Sequence, residues 1–260
     1  MGKLDILQEK LRNRKSILST SFTSVAWSGL VQQAANFPFD FILFDLEHGT
    51  LTAEAIEESL RICRLVDLPT VVRVADCVPH LISKTLDMGA DGILIPRVES
   101  LAQVETAIRC ARYYPRGRKG CGGFSNFRPE DRGSVEHYND NRLLFIQMES
   151  REGLEVLPQI LEKYGQDLAG VLIGPYDASI MLGTPMDIQS PEMTAFIRSV
   201  FDLCRQHGLS CGSFVDGPSL ISRYRDLGGN IFWTGSELSM ISAGYRQLCD
   251  VFRKETEGQI

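Results

Sequence analysis

The chain has 260 residues, 43% hydrophobic and 23% charged, with a net charge of −6. This composition is ordinary for a globular protein, and the negative charge argues against a nucleic-acid partner because phosphate binding needs surplus lysine and arginine. No apolar run approaches the roughly 18 residues needed to span a membrane, and the N-terminus has no signal-peptide core, so a cytoplasmic location is expected.

Short apolar runs alternate with amphipathic segments along the whole chain, after a first helix predicted at 3–14. The predicted strands are 17–23, 39–45, 69–75, 91–98, 143–149, 170–175, 209–215 and 230–236. The helices predicted between and after them are 26–36, 52–66, 79–88, 100–113, 153–163, 191–207, 218–227 and 238–254. Eight strands alternating with eight helices indicate the α/β class and a (β/α)8 TIM barrel, forming a single domain over residues 1–260.

A doubly wound open sheet is the competing arrangement. It is less favoured because such folds usually have fewer strands and a glycine-rich turn after the first strand. Here the first predicted strand leads into TSVAWSG, which lacks that turn. The connection at 114–140 is much longer than an ordinary loop, which predicts that it has a function, such as covering the active site.

Polar side chains follow several of the predicted strands. Asp45, Glu47 and His48 end the second strand, Arg73 lies on the third and Glu149 on the fifth. Arg97 ends the fourth strand, and the sixth leads into Gly174-Pro175-Tyr176-Asp177. Because catalytic groups of TIM barrels project from the carboxyl ends of the strands, these residues form the candidate active site.

Glu149 and Asp177 follow neighbouring strands, so their like charges would repel unless a cation lies between them. Two carboxylates completed by waters and a substrate oxygen suit a divalent ion such as Mg²⁺, Mn²⁺ or Co²⁺. The alternative is that the two carboxylates form structural ion pairs with Arg97 or Arg73. No lysine lies on a strand where a Schiff base would form, which favours the metal.

His48 has two interpretations as well. A histidine that closes a strand is often only a hydrogen-bonded polar group. However, the nearby Asp45 is suited to fix its tautomer and support proton transfer.

Seven stretches, taken in order, resemble the HpcH/HpaI family of metal-dependent pyruvate aldolases, which includes 4-hydroxy-2-oxoheptanedioate and 2-dehydro-3-deoxyglucarate aldolases. They are FDLEHG, VVRV, LDMGADGILIPRVES, YYPRGRKG, QMESREGLE, GVLIGPYDAS and WTGSEL. The resemblance implies a TIM barrel that exchanges its last helix between subunits, commonly in a homo-oligomeric hexamer built as a trimer of dimers. It also implies a carbon–carbon lyase that cleaves a 4-hydroxy-2-oxo acid to pyruvate, or a close 2-oxo acid, and an aldehyde.

The resemblance also implies roles for individual residues. Glu149 and Asp177 take the places of the metal ligands, and His48 with Asp45 takes that of the acid/base pair. Arg73 takes the place of the arginine beside the pyruvate keto oxygen.

Other residues match the surroundings of the substrate. Glu47 matches an acidic residue that holds water on the metal, and Asp87 matches one contributed to the neighbouring subunit's site. Gly174, Pro175, Tyr176 and the backbone N–H groups around Asp177 match the pocket for the pyruvate carboxylate.

The chain departs from the family pattern on the aldehyde side of the site. Tyr176 stands where an alanine usually precedes the aspartate, and the segment YYPRGRKGCGGFSNFRPED differs from the usual loop. Two alternatives therefore stay open. One is a related lyase or condensation reaction, such as the formation of citrate-like acids; the other is a binding protein that has lost turnover.

Overall fold

The computed structural model describes residues 2–122, 127–128, 131 and 134–256, in which eight parallel strands form a closed barrel. The strands are β1 (Ile17–Phe22), β2 (Phe41–Asp45), β3 (Thr70–Arg73), β4 (Gly92–Ile95), β5 (Leu143–Met148), β6 (Gly170–Ile173), β7 (Cys211–Val215) and β8 (Ile231–Ser236). Each pairs with the next along the chain, and β8 pairs with β1. This closure confirms the TIM barrel and excludes the open sheet.

Helices connect the strands on the outside of the barrel. They are α1 (Lys3–Arg12), α2 (Ser28–Ala34), α3 (Ala53–Leu65), α4 (Pro79–Asp87), α5 (Leu101–Ala111), α6 (Val135–Asn141), α7 (Arg151–Tyr164), α8 (Pro175–Met181), α9 (Pro191–Gln206), α10 (Pro218–Asp226) and α11 (Glu237–Thr256). A short 3-10 helix, Gly165–Asp167, follows α7. Every predicted helix is present.

Two helices were not predicted, α6 and α8, and each has seven residues. Two turns are too short to show an amphipathic period. α6 lies within the segment 114–140 that was predicted to be one long loop. Part of that segment, at 123–126, 129–130 and 132–133, lies outside the described residues.

The barrel interior is filled by apolar side chains from the strands and closed at its amino-terminal end by α1. The rings of Phe41 and Phe145 stack across the interior with centroids 6.0 Å apart. Leu4, Leu7 and Leu11 of α1 belong to the same buried cluster. The amino-terminal end is therefore packed, and polar groups gather at the opposite end, where β2, β3, β5 and β6 finish.

α11 differs from the other helices because its apolar side chains remain exposed. These are Leu238, Met240, Ile241, Tyr245, Leu248, Val251 and Phe252. Although α11 is long, no helix in the described ranges has the combination of length and apolar character that crossing a membrane would require.

Candidate active site

Asp45 and Arg73 lie side by side at the carboxyl ends of β2 and β3, where they are paired in the sheet register. Both side chains are buried, and Arg73 donates from Nε to Asp45 Oδ1 at 2.8 Å and from Nη2 to Asp45 Oδ2 at 2.5 Å. Burial alone would lower the pKa of Arg73, but the hydrogen bonds and charge of Asp45 raise it above its ordinary value. The pair therefore keeps the Arg73 guanidinium protonated and fixes its orientation at this end of the barrel.

Glu47 joins this pair from the turn after β2. Its Oε2 lies 3.0 Å from Nη1 of Arg73, and its Oε1 lies 3.2 Å from Nε of Arg97. Burial raises the pKa of Glu47 despite the two arginines. Arg97 has a φ of 47°, in the left-handed region that is unfavourable for a residue with a side chain, so its position over Glu47 is held at some cost in backbone energy.

The imidazole of His48 lies at the mouth of the barrel and is 57% exposed. Its Nε2 is 3.5 Å from Oδ2 of Asp177 and 4.0 Å from Oε2 of Glu47. Asp45 does not pair with this ring as predicted; its Oδ1 accepts from the backbone N–H groups of Glu47 and His48, at 3.0 and 3.2 Å. Asp45 thus shapes the turn that presents His48. Both of its carboxylate oxygens already accept hydrogen bonds from Arg73, and neither pairs with the imidazole.

Glu149 follows β5 and is buried in the site, where Gln147 donates a short hydrogen bond to its Oε1. Burial raises the pKa of Glu149 to about 8, and the nearby charges of Glu47 and Asp177 add to the rise. A Cβ at Gly174 would collide with the Glu149 carboxylate and with Gln147. Gly174 therefore makes room for Glu149. This is a second reason for a glycine here, beside the pocket for the pyruvate carboxylate that the family resemblance implies.

Asp177 lies in the first turn of α8, after Gly174 and Pro175. Together with Glu149 it lines a cavity of about 510 Å³ that also has Asp76, Arg97, Glu99 and Met181 in its wall. Neither Arg73 nor Arg97 forms an ion pair with these two carboxylates among the described residues, since both arginines bind the turn after β2. The alternative of structural ion pairs for Glu149 and Asp177 is therefore wrong.

The carboxylates of Glu149 and Asp177 are better suited to holding a divalent cation between them than to lying together without one. Burial and negative neighbours raise the pKa of Glu149 to about 8, and a cation would offset both effects. No group of three or more His, Cys, Asp or Glu side chains within the described ranges is arranged as a ready-made metal site. A pair of oxygen ligands completed by water and substrate is nevertheless a normal way to hold Mg²⁺.

Tyr176 is turned away from the carboxylates and towards β7. Its hydroxyl donates to Asp216 at 2.7 Å, and burial with this contact raises the pKa of Tyr176 to about 12. Its ring lies 6.3 Å from that of Phe214, which meets Trp233 edge-on at 5.3 Å. Trp233 in turn lies under the guanidinium of Arg73 at 5.3 Å, a cation–π contact. These aromatic rings connect Tyr176 to Arg73 through consecutive contacts.

Three residues of this site were missed by the sequence analysis: Gln147, Asp216 and Trp233. A signal existed for two of them. Gln147 lies two residues before Glu149 in an apolar strand, so both side chains share a face, and Trp233 lies in the predicted eighth strand. Asp216 lies in a loop, where sequence carries no such signal.

Asp87, predicted to act in a neighbouring subunit, ends α4 on the outside of the barrel. Its Oδ1 lies 2.5 Å from the buried Nζ of Lys119, in the glycine-rich segment after α5. Within the described chain Asp87 therefore anchors that segment. Its relation to a neighbouring subunit stays a prediction.

Most of the chain matches a known family. The family model HpcH/HpaI aldolase/citrate lyase matches residues 19–243. A 4-hydroxy-2-oxo-heptane-1,7-dioate aldolase from Klebsiella pneumoniae is 32% identical, over 87% of this chain and 88% of its own. A hydroxypyruvate/pyruvate aldolase from Roseovarius nubinhibens is 30% identical, over 88% and 91%.

A solved structure shows the same fold. The crystal structure of an HpcH/HpaI aldolase from Desulfitobacterium hafniense has a TM-score of 0.86 at 22% identity, covering 95% of this chain and 96% of its own. The named relatives confirm the prediction of an aldolase, a carbon–carbon lyase of the aldehyde-lyase class. The chain belongs to the HpcH/HpaI aldolase/citrate lyase family.

Proposed function

We propose that the chain catalyses the divalent-metal-dependent cleavage of a 4-hydroxy-2-oxo acid to pyruvate, or a close 2-oxo acid, and an aldehyde. The observation that carries this proposal is one arrangement at the carboxyl end of the barrel. Glu149 and Asp177 line one cavity, the buried Arg73 lies close enough to Glu149 for their charges to interact, and the imidazole of His48 lies 3.5 Å from Asp177. With a divalent cation held by Glu149 and Asp177, such a site would suit an anionic 2-oxo acid.

Glu149 and Asp177 would hold the metal ion, with Mg²⁺, Mn²⁺ and Co²⁺ as the ions that suit oxygen ligands. When bound, the ion supplies positive charge that polarises the 2-oxo group of the substrate. The raised pKa of Glu149, to about 8, supports this assignment, because it reflects excess negative charge in a buried place. Glu47 adds further negative charge beside Glu149, and it would order a water molecule next to the metal ion.

Arg73 stabilises the negative charge that develops on the keto oxygen as the carbon–carbon bond breaks. Its Nε and Nη2 are occupied by Asp45, and its Nη1 lies 3.0 Å from Glu47 and 3.4 Å from Gln147, so the keto oxygen would have to accept from Nη1 beside these two residues. A donor held in place before the reaction needs no rearrangement in the transition state. The substrate carboxylate lies at Gly174 and Pro175, within reach of the backbone N–H groups of Tyr176 and Asp177 at the start of α8.

His48 takes the proton from the 4-hydroxyl group, which becomes the aldehyde oxygen. Its imidazole is exposed on the side where the aldehyde would leave, and neutral imidazole is an effective base near pH 7. The hydrogen bonds from its turn to Asp45 hold the residue in place. Arg73 and His48 therefore act at opposite ends of the bond that breaks.

The active form is proposed to be a homo-oligomer, a hexamer by family resemblance, in which α11 packs on a second copy of the chain. The support is the exposed apolar side of α11, where Tyr245, Leu248 and Phe252 are each more than 60% exposed. Leaving that much apolar surface in water is unfavourable. Asp87 and the glycine-rich segment bound to it would then approach a neighbouring site.

A substrate screen that follows pyruvate release tests the proposal. Several 4-hydroxy-2-oxo acids are supplied to the purified protein, before and after chelator treatment and after adding back Mg²⁺, Mn²⁺ or Co²⁺. We expect release that is lost with chelator and restored by metal. Release that continues unchanged in the stripped protein would exclude the metal. Citrate-like products from pyruvate donors would favour the condensation alternative, and no turnover of any kind would favour a binding protein.

A further inference from the structure

Glu237, the first residue of α11, is a buried carboxylate that binds the loop after β1. Its Oε1 accepts from the backbone N–H groups of Thr23, Ser24 and Val25, at 3.1, 2.6 and 2.8 Å. Its Oε2 accepts from the N–H of Thr23 at 3.0 Å. No arginine or lysine of the described residues forms an ion pair with it, so its charge is balanced by backbone N–H groups and by the Thr23 hydroxyl, which lies 3.5 Å from Oε2.

The same loop also contacts the turn that carries His48. The carbonyl of Thr23 accepts from the N–H of Thr50 at 3.0 Å, and the carbonyl of Ser24 lies 3.4 Å from the Thr50 hydroxyl. Gly49 has a φ of 97°, and a Cβ there would collide with the Thr23 carbonyl. The two segments therefore pack backbone against backbone, with Thr23 and Ser24 donating to Glu237 on one side and accepting from Thr50 on the other.

The turn at His48 is thus held from two sides. From the barrel interior, Asp45 accepts from the N–H of His48. From the outside, Thr50 is held by Thr23 and Ser24, which Glu237 fixes in turn. An imidazole that is itself mostly exposed depends on its backbone for its position.

We propose that Glu237 is a positioning residue for His48, acting through the loop at 23–25 and the turn at 48–50. The inference rests on the proposed function, since it needs His48 to act on the 4-hydroxyl. Because Glu237 also begins α11, it links the place where the C-terminal helix leaves the barrel to the geometry of the site. A displacement of about 1 Å at a reacting group lowers a rate by about a hundredfold, so a small shift of the loop is enough.

The test compares two reactions of the metal-loaded protein. Cleavage of a 4-hydroxy-2-oxo acid needs His48, whereas exchange of pyruvate methyl protons with deuterated water needs Arg73 but contains no 4-hydroxyl step. We expect Glu237→Ala to slow cleavage by about tenfold to a hundredfold and to leave exchange within about threefold. Glu237→Gln keeps the Oε1 acceptor and should lose less cleavage activity than Glu237→Ala. Glu255→Ala, an exposed glutamate on the same helix, is the control and should change neither reaction.

The outcomes separate this inference from the proposed function. A wild-type protein that neither cleaves nor exchanges overturns the proposed function, and this inference with it. A wild-type protein that does both, with Glu237→Ala slowing them equally or not at all, overturns only the role of Glu237. If Glu237→Ala does not fold, Glu237→Gln decides by the same comparison, since it keeps the side chain's size and one acceptor oxygen.

Discussion

Arg73 and Asp45 form a buried two-point ion pair between directly opposed residues of β2 and β3, at 2.8 and 2.5 Å. This pairing fixes the guanidinium plane, so the remaining nitrogen, Nη1, faces Glu47 at 3.0 Å and Gln147 at 3.4 Å. Trp233 supports the same plane from below. The orientation of the positive charge, and not only its presence, is therefore built into the barrel.

Replacing Arg73 by lysine should lower both pyruvate proton exchange and aldol cleavage, by about 10²–10³-fold. Lysine keeps the charge but cannot form the two-point contact with Asp45 that directs Nη1. Both reactions are measured on folded, metal-loaded protein by NMR and by pyruvate release. Arg109→Lys, on an exposed arginine of α5, is the control. Full exchange in the Arg73→Lys variant would show that charge alone suffices.

His48→Ala should separate the same two reactions. Cleavage should fall by about 10²–10⁴-fold, the range for a general acid–base group, because no base remains for the 4-hydroxyl. Proton exchange at the pyruvate methyl group should remain measurable, since it does not involve that hydroxyl. His207→Ala, an exposed histidine that follows α9, serves as the control. An equal loss of both reactions would show that His48 acts at the pyruvate end.

Much of the fold and of the site follows from sequence, and the misses have physical causes. The strands and long helices are predictable because their apolar periods are long, whereas α6 and α8 offer only two turns each. The strand-end rule places Asp45, Arg73 and Glu149 at one end of the barrel. It does not say which acid an arginine binds, because that depends on the sheet register, which sets Asp45 opposite Arg73.

Glu149→Gln should weaken divalent-metal binding by at least about tenfold, since even residues one step removed from a metal change affinity by 10–100-fold. The change keeps the size of the side chain and removes a carboxylate from the proposed metal site. Titration calorimetry with Mn²⁺ measures the effect without relying on activity. Glu152→Gln, an exposed glutamate in the first turn of α7, should bind as the wild type does. Equal affinity in both variants would place the metal elsewhere.

Acid should destabilise the protein through Asp91. This fully buried carboxylate binds Arg128 at 2.7 and 2.8 Å and accepts from the N–H of Thr70 at 3.0 Å. Burial would raise its pKa, but the bond and charge of Arg128 lower it below the ordinary value of 3.8. A lowered pKa gives stability that is present above pH 3.8 and is lost as the pH falls through the folded-state value.

Asp91→Asn should therefore lower the free energy of unfolding at pH 7 by about 3–5 kcal/mol, as for other broken buried pairs, and flatten its dependence on acid. Denaturant unfolding between pH 7 and pH 2.5 measures both effects. Asp202→Asn removes a carboxylate from an exposed pair with Arg205 and should cost at most about 1 kcal/mol. If the two variants lose stability equally with acid, Asp91 is not the group responsible.

The exposed apolar side of α11 predicts that a negative charge placed there would break the proposed oligomer. Leu248 and Phe252 lie one turn apart and are 69% and 64% exposed, so in an oligomer they would share one buried patch. A glutamate buried without a partner is strongly unfavourable, and Leu248→Glu should shift the sedimenting species towards monomer at micromolar concentration. Gln247→Glu adds the same charge at the neighbouring exposed position of α11 and is the matched control. A wild-type protein that sediments as a fully active monomer at every concentration would contradict the packing of α11 on a second copy.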